Sequence, residues 1–141
     1  MSRGLGDVYK RQGMGPVHAM TPIMQRNQLS IEDIDYWEIN EAFATQVLGC
    51  VKAWQEDDYC REKLGLDSAM GEIPHDRLNI DGGGVSLGHP VGASGARIVL
   101  HLSKILHRTG SGTGIASLCI GGGQGGAMLL KNENNKDIEA A

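Results

Sequence analysis

Three stretches of the chain carry hydrophobic residues three or four positions apart, a spacing that gathers them on one face of an α-helix. This spacing predicts helices over residues 16–28, over the segment that follows Asn40, and over residues 93–108. The buried face of the second helix is expected to hold four side chains: Phe43, Val47, Val51 and Trp54.

Short apolar runs between the helices predict β-strands, at residues 36–39, 77–80, 114–120 and 126–131. The last two runs are separated only by the glycine-rich residues 121–125, which favours an antiparallel hairpin. We interpret residues 81–88 as a glycine-rich turn and the charged residues 55–77 as an excursion with one irregular helical turn. Strands that alternate with helices predict an α/β fold, in which helices pack against a mixed sheet ending in a β-hairpin.

The composition indicates one globular domain, since 40% of the 141 residues are hydrophobic. A formal net charge of −4 and an aromatic content of 4% argue against nucleic-acid binding. Three cysteines without CxxC spacing favour a reducing compartment over a disulfide framework or a zinc site, so we expect no metal. No apolar run approaches the roughly 20 residues that span a bilayer. We therefore expect a cytoplasmic protein without a membrane span.

Glycine is over-represented, and its 21 residues concentrate at 82–95 and 110–126. The first cluster lacks the acidic residue of a dinucleotide-binding fold and the last glycine of a G-x-S-x-G elbow. Ser94 is therefore interpreted as a capping residue at the start of a helix. His89 precedes the same helix, where a neutral imidazole can accept a proton from a thiol or donate to an oxyanion, although a lone loop histidine is more often structural. His101, on the helix itself, is expected to be structural.

Cys119 stands directly before the second glycine cluster. A strand cysteine by itself is usually a small buried hydrophobe, but the glycines leave backbone N–H groups uncovered beside the sulfur, as an oxyanion site requires. Cys50 and Cys60 have no such surroundings and are expected to be structural. Asn40 and Glu41 form a polar pair at a strand-to-helix junction. There, Asn40 either caps the helix or holds a water or a carbonyl group.

Three blocks of sequence, taken in order, resemble the C-terminal half of the thiolase family: NEAFA at 40–44, GGGVSLGHPVGASGAR at 82–97 and CIGGGQGG at 119–126. With GMGPV at 13–17, the resemblance extends over residues 13–131. It implies the C-terminal domain of an acyltransferase that cleaves 3-ketoacyl-CoA with CoA, or runs the reverse Claisen condensation. Such an enzyme serves fatty-acid β-oxidation or acetoacetyl-CoA formation. The resemblance further implies CoA and acyl-CoA as substrates, no tightly bound cofactor and a homo-oligomeric parent protein.

The resemblance also implies roles for individual residues. Cys119 would be the acid/base that protonates the leaving carbanion in cleavage or removes the α-proton in synthesis. His89 would activate the nucleophilic cysteine and donate to a thioester oxygen, and Asn40 would fix a water that donates to the same oxygen. The N–H of Gly121 would help to bind a second oxyanion. Glu41 would support this arrangement without touching the substrate.

Parts of the chain depart from the family pattern. The family carries its nucleophilic cysteine in an N-terminal domain, and no position here matches that motif, so we expect a fragment that is inactive by itself. Residues 1–12 resemble translated sequencing adapter and are excluded from the fold, and residues 132–141 are interpreted as a polar, frayed tail. A strand in the middle of the sheet is expected to be missing, which predicts low stability.

Two other interpretations remain open. In one, the chain is a non-catalytic module that binds CoA or acyl groups and keeps the thiolase-like fold. A pure binding module has no need of Cys119 and His89 together, so the intact blocks favour the enzyme. In the other, the chain serves only in protein interaction and the glycines are packing devices, which leaves the residues beside them unexplained.

Overall fold

The computed structural model describes residues 13–133. Four α-helices and three β-strands form the framework: α1 (Gly15–Asn27), β1 (Tyr36–Ile39), α2 (Ala44–Gln55), α3 (Gly84–Leu87), α4 (Ser94–Thr109), β2 (Thr113–Gly121) and β3 (Gln124–Lys131). The excursion after α2 holds a helical turn (Asp57–Tyr59), a π-helical turn (Cys60–Leu64) and a 3-10 turn (His75–Arg77). The segments 1–12 and 134–141, on which two of the sequence interpretations fall, lie outside the described residues.

The three strands form one mixed sheet in the order β1-β2-β3. Strand β1 runs parallel to β2, with Tyr36 opposite Gly114, and β2 runs antiparallel to β3. The predicted α/β fold with a terminal hairpin is thereby confirmed. The expected gap in the middle of the sheet is wrong, because the described strands pair consecutively. The expected low stability of the chain stays a prediction.

Helices cover both faces of the sheet because successive strand residues point to opposite sides. Ile115 faces the larger core, which α1 and α2 complete around Trp37 and Trp54, whose rings meet edge to face. Its neighbour Ala116 faces a smaller core under α4, with Ile98, Leu102 and Leu106. On β1, Tyr36 packs against the α4 side, so Glu38 and Asn40 are presented to α4 as well.

The hairpin between β2 and β3 turns at Gly122 and Gly123, whose φ angles are +58° and +79°. Positive φ at both central residues is the geometry of a type I′ turn, which matches the twist of the strands and favours glycine. The hairpin that the sequence predicts is confirmed, with strand ends shifted so that Gly121 and Gln124 belong to the strands.

Four local expectations are wrong. Residues 77–80 form only an isolated bridge from Leu78 to Trp37, because Asn79 adopts φ +47° and turns the chain. Phe43 precedes α2 and is 71% exposed, so it lies outside the buried face. Residues 84–87 form the short helix α3 instead of a simple turn. Asn132, assigned to the frayed tail, is held by its side-chain amide, which donates to the Leu106 and Ser111 carbonyls.

Candidate active site

A cleft of about 670 Å³ opens where the C-terminal end of β2 meets the loops that precede α1, α2 and α4. Its lining contains three of the predicted site residues: Cys119 and Gly121 at the end of β2, and His89, which lies 30 positions before Cys119 in the sequence. The remainder of the lining comes from Gly13, Met14, Ala42, Phe43, Thr45, Gln46 and Ile120. The topology therefore brings a thiol, an imidazole and a glycine backbone to one cavity.

A β-bulge positions the cysteine end of the cleft. Cys119 pairs with Gly125 and Gly121 pairs with Gln124, which leaves Ile120 as the extra residue of β2. A bulge bends its strand and re-aims the neighbouring side chains, and here all three residues of β2 face the cleft. Gly121 has φ +127°, a conformation that a residue with a side chain adopts only with strain.

His89 is held from behind by a fully buried serine. Its Nδ1 lies 2.7 Å from the Oγ of Ser94, and that hydroxyl lies 3.1 Å from the carbonyl oxygen of Pro90. Ser94 does not cap α4, as the sequence analysis expected, because the N-cap residue is Ala93 and no side chain bonds there. Its hydroxyl faces Nδ1 of His89, and the histidine also lines the cleft.

Asn40 lies behind the imidazole and does not line the cleft, since its exposure is 1%. Its Nδ2 is 3.5 Å from Nδ1 of His89, and Arg97 donates from Nη2 to its Oδ1 at 3.4 Å. The N-cap of α2 is Phe43, so the interpretation of Asn40 as a helix cap is wrong. Its expected role in holding a water stays a prediction.

Glu41 fastens the glycine-rich loop that carries His89. Its Oε2 accepts a hydrogen bond from the N–H of Val85 at 3.1 Å, and its Oε1 accepts one from Nδ2 of Asn79 at 3.2 Å. A Cβ atom on Gly83 would lie 2.5 Å from Cδ of Glu41, and one on Gly84 would lie 2.6 Å from its carbonyl oxygen. The two glycines therefore permit this close approach.

Asn79 completes the attachment of the same loop to β1. Its Oδ1 accepts a hydrogen bond from the N–H of Ile39, and its Nδ2 donates one to the carbonyl oxygen of Ile39, both at 2.9 Å. One side-chain amide thus takes the place of a neighbouring strand at the end of β1. The sequence analysis missed Asn79. The only signal was an asparagine directly before a glycine-rich turn, where left-handed backbone is common.

A charged network that the sequence analysis also missed lies beside the site. Nδ1 of His101 lies 3.1 Å from Oε1 of the buried Glu38, but the angles of this contact do not allow a hydrogen bond. Nε2 of the same ring lies 2.9 Å from Oδ2 of Asp81. Arg108 pairs with the same Asp81 oxygen at 2.6 Å. Burial raises the pKa of Glu38, although His101 and Arg97 oppose this shift. The hydrogen bond from Arg108 lowers the pKa of Asp81.

The other two cysteines are buried, at 1% exposure for Cys50 and 0% for Cys60. Burial raises the pKa of Cys50 to about 11, so its thiol is an inert part of the core. Within residues 13–133, no group of three or more histidine, cysteine or acidic side chains is placed to hold a metal ion. In the same range, no helix combines the length and the apolar character needed to cross a membrane.

Comparison with known proteins identifies the family. The sequence model of the family described as "Thiolase, C-terminal domain" matches residues 5–132. The chain belongs to the thiolase family. The matched range begins inside residues 1–12, the segment that the sequence analysis excluded, and the structure describes the chain only from Gly13.

Among curated thiolases, the chain is 38% identical over 127 residues to a 3-ketoacyl-CoA thiolase of Alteromonas mediterranea. It is 39% identical over 127 residues to the corresponding protein of Aliivibrio fischeri. Each alignment covers 90% of this chain but 29% of the relative, so the chain spans less than a third of the length of these thiolases.

Solved thiolase structures agree with this assignment. The acetyl-CoA acetyltransferase of Syntrophomonas wolfei superimposes with a TM-score of 0.71 at 41% identity, over 86% of this chain and 28% of that one. Human mitochondrial 3-ketoacyl-CoA thiolase, solved in complex with CoA, gives a TM-score of 0.69 at 38% identity. The match covers 85% of this chain and 26% of the human protein. The fold of the described residues is thus the thiolase C-terminal fold.

Proposed function

We propose that this chain supplies one half of the active site of an enzyme that cleaves 3-ketoacyl-CoA with CoA, or condenses acyl-CoA in reverse. The observation that carries the proposal is the meeting of Cys119, His89 and Gly121 in one cleft. Membership of the thiolase family and the CoA complex of the human relative support CoA thioesters as substrates.

In this proposal Cys119 exchanges a proton with the α-carbon of the acetyl group. An ordinary thiol has a pKa of about 8.5 and can act as acid or base near neutral pH. In cleavage the thiol gives its proton to the carbanion of the leaving acetyl-CoA, and in condensation the thiolate takes that proton back. Cys119 is the one cysteine that lines the cleft among the described residues.

Two sets of donors stabilise negative charge on the thioester oxygens. His89 can donate from its cleft-facing nitrogen once it has taken up a proton from the nucleophilic thiol. The N–H of Gly121 serves the oxyanion that forms when the acyl-enzyme is made or broken. Loss of one preorganised donor of this kind costs about 3 kcal/mol of transition-state stabilisation. Asn40 and Glu41 act behind these groups: Asn40 lies beside the imidazole, and Glu41 fastens the loop that carries it.

The nucleophilic cysteine must come from outside this chain, so the purified chain is expected to show no CoA-dependent cleavage. A chimera tests the proposal: residues 13–131 replace the matching C-terminal segment of the Alteromonas thiolase, and cleavage of a 3-ketoacyl-CoA is measured. The wild-type chimera is expected to be active. A folded chimera that binds acyl-CoA without cleaving it would contradict the proposal and indicate a binding module.

A further inference from the structure

We propose that Ser94 is a positioning residue that fixes the tautomer of His89, so that the proton sits on Nδ1 and the cleft-facing Nε2 is free to act as a base. The use of that base rests on the proposed function. The tautomer itself does not, because it follows from the hydrogen bonds of residues 89–97.

The hydroxyl of Ser94 has a single proton to donate. Ser94 is fully buried, and its Oγ has two polar neighbours: the carbonyl oxygen of Pro90 at 3.1 Å and Nδ1 of His89 at 2.7 Å. The Pro90 carbonyl oxygen accepts the backbone N–H groups of Ala93 and Ser94, and the hydroxyl of Ser94 is placed to donate to it as well. With the hydroxyl proton directed to Pro90, Nδ1–H of His89 donates to Oγ across the short contact.

The other neighbour of Nδ1 is the side-chain amide of Asn40. Arg97 donates to Oδ1 of Asn40, which fixes the amide so that Nδ2 points to the imidazole at 3.5 Å. At 3.5 Å this contact is much weaker than the 2.7 Å contact of Ser94, which therefore dominates at Nδ1. The serine therefore decides which ring nitrogen is protonated, as the partner of one ring nitrogen generally does in histidines.

The tautomer of His89 decides whether its imidazole can act as a base in the cleft. A neutral imidazole accepts a proton only at its bare nitrogen, and His89 lines the cleft in which the nucleophilic thiol of the whole enzyme would meet it. With Nδ1 protonated, Nε2 accepts the thiol proton and then becomes a donor to the thioester oxygen. With the opposite tautomer, the bare nitrogen would face Ser94, and the ring could not act as a base in the cleft.

Long-range ¹H–¹⁵N NMR of the full 141-residue chain tests the inference, because protonated and bare ring nitrogens resonate far apart. The spectra are recorded at alkaline pH, where histidine rings carry one proton. The signals of His89 are identified by their loss in His89→Gln, which separates them from those of the other four histidines. The wild-type ring is expected to be protonated at Nδ1, and a ring protonated at Nε2 would overturn the proposal without any variant.

Three substitutions separate positioning from general packing. Ser94→Ala is expected to move His89 to the Nε2–H tautomer, which imidazoles prefer in water, and Ser94→Thr is expected to retain Nδ1–H. Ser117→Ala is the matched control, since Ser117 is also fully buried and donates to the Gly126 carbonyl at 2.9 Å. If Ser94→Ala leaves the tautomer unchanged, or Ser117→Ala changes it equally, the serine does not position the ring. These spectra need no catalysis, so their outcome is independent of whether the chimera cleaves 3-ketoacyl-CoA.

Discussion

The contact between the start of α1 and β3 gives the sharpest prediction of stability. At this contact two backbones touch, Gly15 on the helix side and Gly125 on the strand side. A Cβ atom added to Gly125 would lie 2.8 Å from Cα of Gly15, and closer still to the Gly15 carbonyl group. Real Cβ atoms essentially never approach other atoms within 3.0 Å. Gly125→Ala must therefore push the helix away from the sheet.

The expected cost follows from what has to move. Overpacking a well-packed interior typically costs 1–3 kcal/mol when side chains can adjust. Here the obstacle is backbone, which cannot rotate away, so we expect a loss of about 3 kcal/mol, at the upper end of that range. In a domain of this size such a loss lowers Tm by roughly 10 °C.

Gly126→Ala is the matched control in the same strand. Its added Cβ would meet only side-chain carbons, of Leu118 at 3.4 Å and of Ile120 at 3.5 Å, which is ordinary van der Waals contact. Urea unfolding followed by tryptophan fluorescence measures both variants, because Trp37 and Trp54 are buried in the core that α1 completes. Equal stability of Gly125→Ala and Gly126→Ala would refute the packing of α1 on β3.

Three further predictions concern single side chains. Iodoacetamide is expected to label Cys119 in the native chain and to spare the buried Cys50 and Cys60, and equal labelling of all three by peptide mass spectrometry would contradict their burial. Because burial raises the pKa of Glu38 above 4.5, the native protein should lose stability as pH rises through that pKa. The stability of Glu38→Gln relative to wild type should therefore increase with pH in urea titrations, and a constant difference would contradict this. Asn79→Ala should cost about 3 kcal/mol, because the buried backbone groups at the end of β1 lose their partner, and a loss below about 0.5 kcal/mol would show that the amide is not needed.

Much of the fold could be predicted because its signals are local. The periodic apolar positions of α1 and α4 mark both helices to within one residue at each end, and the glycines at 122 and 123 mark the hairpin. Residues 77–80 misled the analysis, because a short apolar run does not reveal that Asn79 will turn the chain and satisfy β1 through its side chain.

The candidate site was predictable only in part, for a similar reason. The chemistry of Cys119 and His89 is marked by the glycines around them, and the structure brings both residues to one cleft. The partners of these groups are set by tertiary contacts between distant segments. Ser94 was interpreted as a helix cap and His101 as a structural residue, and no local pattern shows that one faces an imidazole and the other a buried carboxylate.

The most direct test of the account is the rate of CoA-dependent 3-ketoacyl-CoA cleavage by the thiolase chimera when Cys119 is changed to alanine. Cys60→Ala is the control, since it removes a thiol that is buried away from the cleft. General acid–base catalysis contributes at least about a hundredfold, so Cys119→Ala should lower kcat by at least that factor, while Cys60→Ala retains most of the activity. A Cys119→Ala chimera that cleaves at the wild-type rate would contradict the assignment of this cleft as half of a thiolase active site.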